Sequence, residues 1–272
     1  MGGSVVRDLG ALEGDLWVMG GVCSNLHALR AFIDLAGDSE VLCTGDLVAY
    51  CGDPAGVVAE VRARGWPVVA GNCERQIADG ALDCGCGFGE GTTCDLLSRG
   101  WYAHALTEIG PEQRGWMAGL PDIVTFSVHG QRWAAIHGGV TAINRFLWPT
   151  SNDVEFLHEI RNLQDIVGPL HGVVSGHSGL AFARDAGGVH WVNAGALGVP
   201  PHDGGQATRY VVLGEAGPQI QMLEYDVVGA VAAMRSAGLV QGYERTLETG
   251  WWPSEDILPK DLRRIQPSRA SG

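Results

Sequence analysis

Four polar residues that could bind a metal follow predicted strands and stand beside glycines. Asp46 and Asn72 come after the second and third predicted strands, and His137 and His177 follow two later ones. In an open α/β sheet, ligands bind beyond the carboxyl ends of the strands, and a neighbouring glycine lets the chain turn sharply. Carboxylate, amide and imidazole donors suit a borderline divalent metal such as Mn, Fe or Zn. The pattern therefore predicts a metal site at one edge of the fold.

The first half of the chain alternates strand and helix signals. Strands are predicted at 15–22, 40–45 and 67–70, and helices at 25–36 and 53–64. Asn25 and Asp53 stand where N-caps are expected, and Pro54 suits the first turn of the second helix. This βαβαβ order favours parallel strands. The Gly-rich segment 82–94, with three cysteines, is predicted to be a structured loop.

The second half is richer in strands separated by short turns, a pattern that favours antiparallel pairing. Its predicted strands span 123–129, 132–137, 172–176, 180–184, 188–193, 209–214 and 218–225, and its predicted helices span 95–108, 111–119, 152–164 and 226–237. Together the two halves predict an α/β fold of two packed mixed sheets flanked by helices. We expect one domain over 1–272, with a core at about 15–237 and a C-terminal extension at 240–272 that packs on the surface and then frays.

Composition narrows the possible partners. The chain has 272 residues, 46% of them apolar, and a net charge of −13, which disfavours nucleic-acid binding by counterion release. No apolar run is long enough to span a membrane, and the N-terminus lacks the pattern of a secretory signal. Seven cysteines without an export signal favour reduced thiols or metal ligands over a disulfide framework. We therefore expect a cytoplasmic protein.

Five motifs in order carry a family resemblance. They read GVCSNLHAL, TGDLVAYCGDP, AGNCERQ, IHGG and SGHSG, and a later WVNAGALGVP turn agrees with them. The order resembles that of the calcineurin-like metallophosphoesterases, particularly their small bacterial phosphodiesterase and phosphatase branch. It extends from about residue 16 to about residue 225. The resemblance implies an αββα sandwich and the metal-dependent hydrolysis of a small phosphate ester.

The resemblance implies two metal half-sites with different fates. Asp46 matches the family's bridging Asp, and Asn72, His137 and His177 match the other ligands of one half-site. The family's remaining ligands are an Asp and two His. In this chain their positions hold Gly21, Cys23 and Gly179.

The cysteines lead to a hypothesis about the incomplete half-site. Cys73 stands where the family has a His that contacts phosphate or donates a proton, and Glu74 keeps the following acid. Cys23 and Cys73 are therefore predicted to act as replacement ligands. Three further candidates lie in the Gly-rich loop: Cys84, Cys86 and Cys94. Thiolates favour Zn, Fe or an iron–sulfur cluster. The alternative for Cys23 and Cys73 is packing as small buried thiols, and the alternative for the three loop cysteines is packing of an Ω-like loop.

The leading functional prediction is hydrolysis of a phosphate mono- or diester by a metal-activated water, with one or two metals per chain. The catalytic candidates are Asp46, Cys73, Glu74 and His177, and the candidates for substrate binding are Asn25, Arg75 and Arg145. His202 is a further candidate to face the site, while the tryptophans are interpreted as core and interface anchors. Two alternatives remain open, a weakly active or inactive module that holds a metal or cluster through its cysteines, and a redox enzyme that uses the clustered thiols. The sequence predicts no oligomeric state.

Overall fold

The computed structural model describes residues 4–264. The strands are β1 (Val6–Ala11), β2 (Leu16–Met19), β3 (Glu40–Cys43), β4 (Ile123–Val128), β5 (Gln131–Ala135), β6 (Gly172–Ser175), β7 (Ala181–Ala186), β8 (Val189–Ala194), β9 (Thr208–Gly214) and β10 (Gly217–Leu223). The helices are α1 (Leu26–Ala36), α2 (Pro54–Arg64), α3 (Asn72–Asp79), α4 (Thr93–Glu108), α5 (Pro111–Ala118), α6 (Asp153–Val167), α7 (Val227–Ser236) and α8 (Tyr243–Thr249), followed by a short 3-10 helix at Lys260–Leu262.

The strands form two mixed sheets, as the sequence predicts. One sheet has the order β1-β4-β5-β6-β8-β7, and the other has the order β10-β9-β2-β3. Apolar side chains of both sheets meet in one buried cluster that includes Leu16, Val18, Phe126, Trp133 and Val192. Helices cover the outer faces, since a second cluster joins the smaller sheet to α1 and α2 and a third joins the larger sheet to α6.

Side-chain alternation along β2 shows how the sequence produces this layering. Leu16 and Val18 point into the cluster between the sheets, whereas Trp17 and Met19 pack on the helical side. Successive side chains of a strand point to opposite faces. A strand with apolar residues at every position is therefore buried on both faces, and β2 lies in the interior of its sheet.

Strand directions agree with the prediction in the first half and differ in the second. β2 and β3 pair in parallel, with α1 as the crossover. The predicted strand 67–70 reduces to a single parallel bridge between Cys43 and Val68. In the second half, β5 pairs with β6 and β6 with β8 in parallel, so the expectation of antiparallel pairing is wrong there. The physical reason is that α6 separates β5 from β6 and allows a crossover, while β7 turns back at the sheet edge beside β8.

Three elements lie outside the predicted set. β1 has no fully buried residue, so it lacks the apolar alternation that marks a strand. α3 begins at Asn72 and is only 8 residues long, and α8 lies in the extension that was predicted only to pack on the surface. The predicted fraying falls mainly beyond residue 264, outside the described residues. Among residues 4–264, no helix is long and apolar enough to cross a membrane.

Candidate metal centre

Three of the predicted ligands converge at the carboxyl ends of the strands. Donor atoms of Asp46, His137 and His177 all lie within 4.8 Å of one another, the only such group of His, Cys, Asp and Glu side chains in residues 4–264. Nε2 of His137 is 3.1 Å from Nδ1 of His177 and 3.3 Å from Oδ2 of Asp46. The fourth predicted ligand joins them, since Oδ1 of Asn72 is 3.1 Å from the same Nε2.

Each of the four residues is held at the end of a different element. Asp46 follows β3, His137 follows β5, His177 follows β6, and Asn72 is the first residue of α3. Asp46 and His177 have φ angles of 56° and 64°, a left-handed conformation that is uncommon outside glycine. Such strained residues cluster at functional sites, where surrounding structure stabilises them.

Hydrogen bonds outside the group fix which atoms face inward. Nδ1 of His137 donates to the carbonyl oxygen of Thr44 at 2.7 Å, so its Nε2 faces the group. The amide nitrogen of Asn72 donates to the carbonyl of Cys84 at 2.8 Å, so its oxygen faces the group. The Nε2 atom of an imidazole, an amide oxygen and a carboxylate oxygen therefore point at one another. A divalent cation satisfies this arrangement, and the residues fit the metal that the motifs imply.

The electrostatic environment favours metal-binding protonation states in His177 and Asp46, whereas Asp46 outweighs burial and raises the pKa of His137. Burial and the neighbouring His137 lower the pKa of His177 to about 3, so its imidazole is neutral at neutral pH. Burial opposes ionisation of Asp46, but the adjacent His137 and His177 outweigh it and lower the pKa of the carboxyl to about 2. A neutral imidazole and an ionised carboxylate are the forms that bind metals.

Comparison with known proteins agrees with this geometry. The family model of the calcineurin-like phosphoesterase superfamily domain matches residues 19–216. The chain belongs to this superfamily. It is a metallophosphoesterase.

Solved structures share the fold of this phosphoesterase at low sequence identity. A metallophosphoesterase from Sphaerobacter thermophilus is 19% identical, with a TM-score of 0.67 over 87% of this chain and 99% of that one. A hypothetical protein from Pyrococcus horikoshii OT3 is 14% identical, with a TM-score of 0.72 over 87% of this chain and 98% of that one. The chain matches none of the curated proteins with which it was compared.

Glu74 supports the metal centre of the phosphoesterase and does not face its substrate, contrary to its predicted catalytic role. Its fully buried carboxylate accepts hydrogen bonds from the backbone amides of Asp46, Leu47 and Gly71, each at 2.8 Å. These bonds tie the Asp46 turn to the start of α3, which carries Asn72. Three amide donors engage both oxygens of the carboxylate, which gives it a positioning role in this structure.

The structure does not bring the thiols into the group of donors formed by Asp46, His137 and His177. Cys23 donates its S–H to the carbonyl of Gly21 at 3.3 Å, and burial raises the pKa of both Cys23 and Cys73 well above the usual range. Cys84 and Cys86 form a disulfide, which contradicts both the expected reduced thiols and their ligand role. The ligand role of Cys23 and Cys73 stays a prediction. Cys94 lies on α4, outside the group of donors.

The two glycines at the family's second-metal ligand positions have close neighbours. A Cβ atom at Gly21 would lie 3.1 Å from Sγ of Cys23, and a Cβ at Gly179 would lie 3.1 Å from Cζ2 of Trp252. Gly179 also has a φ angle of +74°, a conformation that favours glycine. Both glycines line an open pocket, and neither offers a side chain to a second metal.

The predicted substrate-binding residues have structural partners. Arg75 binds Asp122 at 2.7 Å and the carbonyl of Leu120 at 2.8 Å, and Arg145 pairs with Glu159 at 3.2 Å. Asn25 caps α1 by accepting from Ala28, while its amide donates to Gly198. The partners Asp122 of Arg75 and Gly198 of Asn25 are distant in sequence. A motif position therefore did not reveal that these polar groups were already satisfied.

Sequence reasoning missed a largely apolar pocket beside the metal centre. Its wall includes Asp46 and His177, together with residues of the Gly-rich loop and of the C-terminal extension. Five aromatic side chains line it: Tyr50, Phe88, Phe146, Tyr243 and Trp252. The only sequence signal was the WWP segment of the extension, and tryptophans alone fit a core role equally well.

Proposed function

We propose that this phosphoesterase hydrolyses a phosphate ester with a single divalent metal held by Asp46, Asn72, His137 and His177. The observation that carries the proposal is the convergence of potential ligand atoms around Nε2 of His137, where Oδ1 of Asn72, Nδ1 of His177 and Oδ2 of Asp46 lie within 3.3 Å of that atom. Mixed nitrogen and oxygen donors favour Mn, Fe or Zn. The absence of a ligand side chain at Gly21 and Gly179 supports one metal per chain.

The chain's own residues prepare the site for hydrolysis. When bound, a divalent metal supplies charge that stabilises phosphoryl oxygens and lowers the pKa of a water molecule. Asp46 contributes a permanent negative charge, and His137 is fixed in orientation by the Thr44 carbonyl. Phe146 packs on the ring of His177, with centroids 4.3 Å apart, and excludes water from that side. Asp46 and His177 border the open pocket, so a phosphate group reaches the centre from there.

Substitution of two ligands tests the proposal. Asp46→Asn and His177→Ala are expected to remove metal-dependent phosphatase activity and to lower bound Mn²⁺ well below one ion per chain. Activity would be measured on a panel of phosphate mono- and diesters, and metal content by elemental analysis after gel filtration. Matched controls are Asp34→Asn and His158→Ala, whose side chains are exposed on α1 and α6. Unchanged turnover in both ligand variants would refute the proposal. Two bound ions per wild-type chain would refute the part that assigns a single metal.

A further inference from the structure

We propose that the aromatic pocket is a subsite for the organic group of the substrate, and that the substrate is a phosphate ester with a single phosphoryl group and an uncharged aromatic group. This inference rests on the proposed function and names its substrate class. The pocket is continuous with the metal centre, because Asp46 and His177 line it together with the five aromatic residues. A phosphate at the metal therefore places its ester group among aromatic rings.

One wall of the pocket extends from the metal centre itself. Phe146 lies 4.3 Å from the His177 ring and 6.5 Å from Phe88, measured between ring centroids, and the two Phe rings are nearly parallel at 20°. On another wall, Tyr50 and Tyr243 stack at 4.3 Å and 25°. All four of these aromatic side chains are only partly buried. Partly exposed ring faces next to a metal provide stacking surface for a planar group.

Trp252 brings the extension over the metal centre. Its indole contacts the space above Gly179, the position of a missing second-metal ligand. Two hydrogen bonds anchor it: the backbone amide donates to Nδ1 of His202 at 2.8 Å, and Nε1 donates to the carbonyl of Pro200 at 2.8 Å. Because the indole nitrogen is used in this anchor, the rest of the ring is left as an apolar surface. An aromatic surface thus replaces a second cation.

The charges around the pocket limit the phosphate content of the substrate. Among the described residues, no Lys or Arg lines it, and the nearest candidates Arg75 and Arg145 are paired with Asp122 and Glu159. Further phosphates would be buried without a cation, which is costly. The structure therefore favours a monophosphate ester over nucleoside polyphosphates and dinucleoside polyphosphates. In the reaction, water adds to phosphorus, the P–O bond to the organic group breaks, and the products are an aromatic alcohol and inorganic phosphate.

Binding of non-hydrolysable phosphonates tests the subsite without relying on turnover. We expect the Mn²⁺-loaded protein to bind phenylphosphonate at least about tenfold more tightly than methylphosphonate, since stacking and ring burial contribute on the order of one factor of ten. Methylenediphosphonate, with its additional charge, is expected to bind no more tightly than methylphosphonate. Calorimetry would give the three dissociation constants. Equal affinities for the phenyl and methyl compounds, or tightest binding of the diphosphonate, would overturn the proposal.

Variants locate the selectivity in the pocket. Trp252→Ala is expected to bring the phenyl-to-methyl affinity ratio close to one while methylphosphonate affinity and Mn²⁺ content stay unchanged. Phe88→Ala, in the exposed Gly-rich loop, provides a second test if Trp252→Ala is unstable. Trp66→Ala is the matched control, because Trp66 is also partly buried and packs on Phe32, away from the pocket. Retention of the full ratio in both pocket variants would contradict the assignment.

Two failures are distinguishable. If the wild-type protein hydrolyses methyl phosphate in a metal-dependent reaction but shows no preference for phenyl phosphate, the subsite is wrong and the proposed function stands. If no ester is hydrolysed and no phosphonate binds to the Mn²⁺-loaded protein, both proposals are wrong.

Discussion

Around the candidate metal centre, some residues face the metal position, and others hold those residues in their orientation. Thr44 orients His137 through its carbonyl, and Cys84 orients Asn72 in the same way. Glu74 holds the turn that carries Asp46. Partners of this kind fix the position and basicity of ligands, so their loss affects a centre without removing any ligand.

The contribution of Glu74, which positions Asp46, can be measured by substitution. In Glu74→Gln, one of the three backbone amides that now bind the carboxylate faces an NH₂ group instead of an acceptor. We expect a loss of about 3 kcal/mol in the free energy of unfolding, the size of a buried hydrogen bond to a charged group plus its unsatisfied donor. Urea denaturation would measure it. The control is Glu215→Gln, an exposed turn residue, and a loss equal to that of the control would show that the carboxylate does not hold the turn.

The sequence predicted that the four candidate donors would lie close together because their positions depend on local rules. Asp46, His137 and His177 each follow a strand, and strand ends converge in any sheet of this type. The place of the thiols was harder to predict, because coordination depends on the direction of a side chain, which sequence spacing does not determine. Cys23 lies close to the missing half-site, yet its S–H turns back to its own turn at Gly21.

Among the elements, the Gly-rich loop that precedes α4 is coupled to the metal centre. The loop carries the Cys84–Cys86 disulfide. The side-chain amide nitrogen of Asn72 donates to the carbonyl of Cys84 and lies 3.4 Å from Sγ of Cys86. Asn144 donates to the carbonyl of Gly85 at 2.9 Å and ties the loop to the segment after β5. The conformation of the loop at residues 84–86 therefore affects the orientation of Asn72, a candidate metal ligand.

Reduction of this disulfide is expected to weaken metal binding. Without the bond, the loop gains freedom and the Cys84 carbonyl holds Asn72 less firmly, which we expect to raise the Kd for Mn²⁺ about tenfold. The measurement is metal titration before and after treatment with a phosphine reductant, with alkylation and mass spectrometry to score the two thiols. A Cys84→Ser/Cys86→Ser double variant should not respond to the reductant. Identical Kd values for oxidised and reduced wild-type protein would contradict the coupling.

Helices and strands were predictable where one face is buried and apolar residues recur at regular spacing, and not elsewhere. β2 and α1 carry clear apolar patterns, and Asn25 caps α1 as expected. β1 is exposed except at the partly buried Leu9, and it pairs only with β4, so hydrophobicity gives little indication of it. α3 is short and polar because its buried side chains include Asn72 and Glu74, which serve the metal centre.

At the scale of the whole molecule, His202 joins the C-terminal extension to the rest of the domain. Its Nδ1 accepts from the Trp252 amide, and its Nε2 lies 3.0 Å from Glu255, which also binds Arg264. Burial lowers the pKa of His202 below its usual value, although Glu255 opposes this shift. The neutral imidazole is therefore the form that anchors the extension, because a proton on Nδ1 would remove the acceptor for Trp252.

Acidification should release this anchor. Since the folded-state pKa of His202 lies below the unfolded value of about 6.5, the stability it contributes is complete above that pH and is lost as the pH falls towards the folded-state pKa. We expect the melting temperature of the wild-type protein to fall more between pH 7 and pH 5 than that of His202→Ala. His158→Ala, exposed on α6, controls for loss of a histidine. Parallel decreases in the wild-type protein and His202→Ala would exclude the anchor as a titrating group.

The Trp252 anchor spans long separations along the chain, and this explains why no sequence pattern indicated it. Trp252 contacts residues 50 and 52 positions earlier through hydrogen bonds, and a Cβ at Gly179 would touch its ring. Only the folded arrangement brings these residues together.

The division of labour between segments has an evolutionary consequence. The metal donors come from the segment between Asp46 and His177, whereas Trp252 and Tyr243 come from a separate stretch that contributes no donor. We therefore expect mutations in that stretch to change which ester binds while the candidate metal donors stay in place. Selection on substrate choice and selection on catalysis would then act on separate segments of one polypeptide.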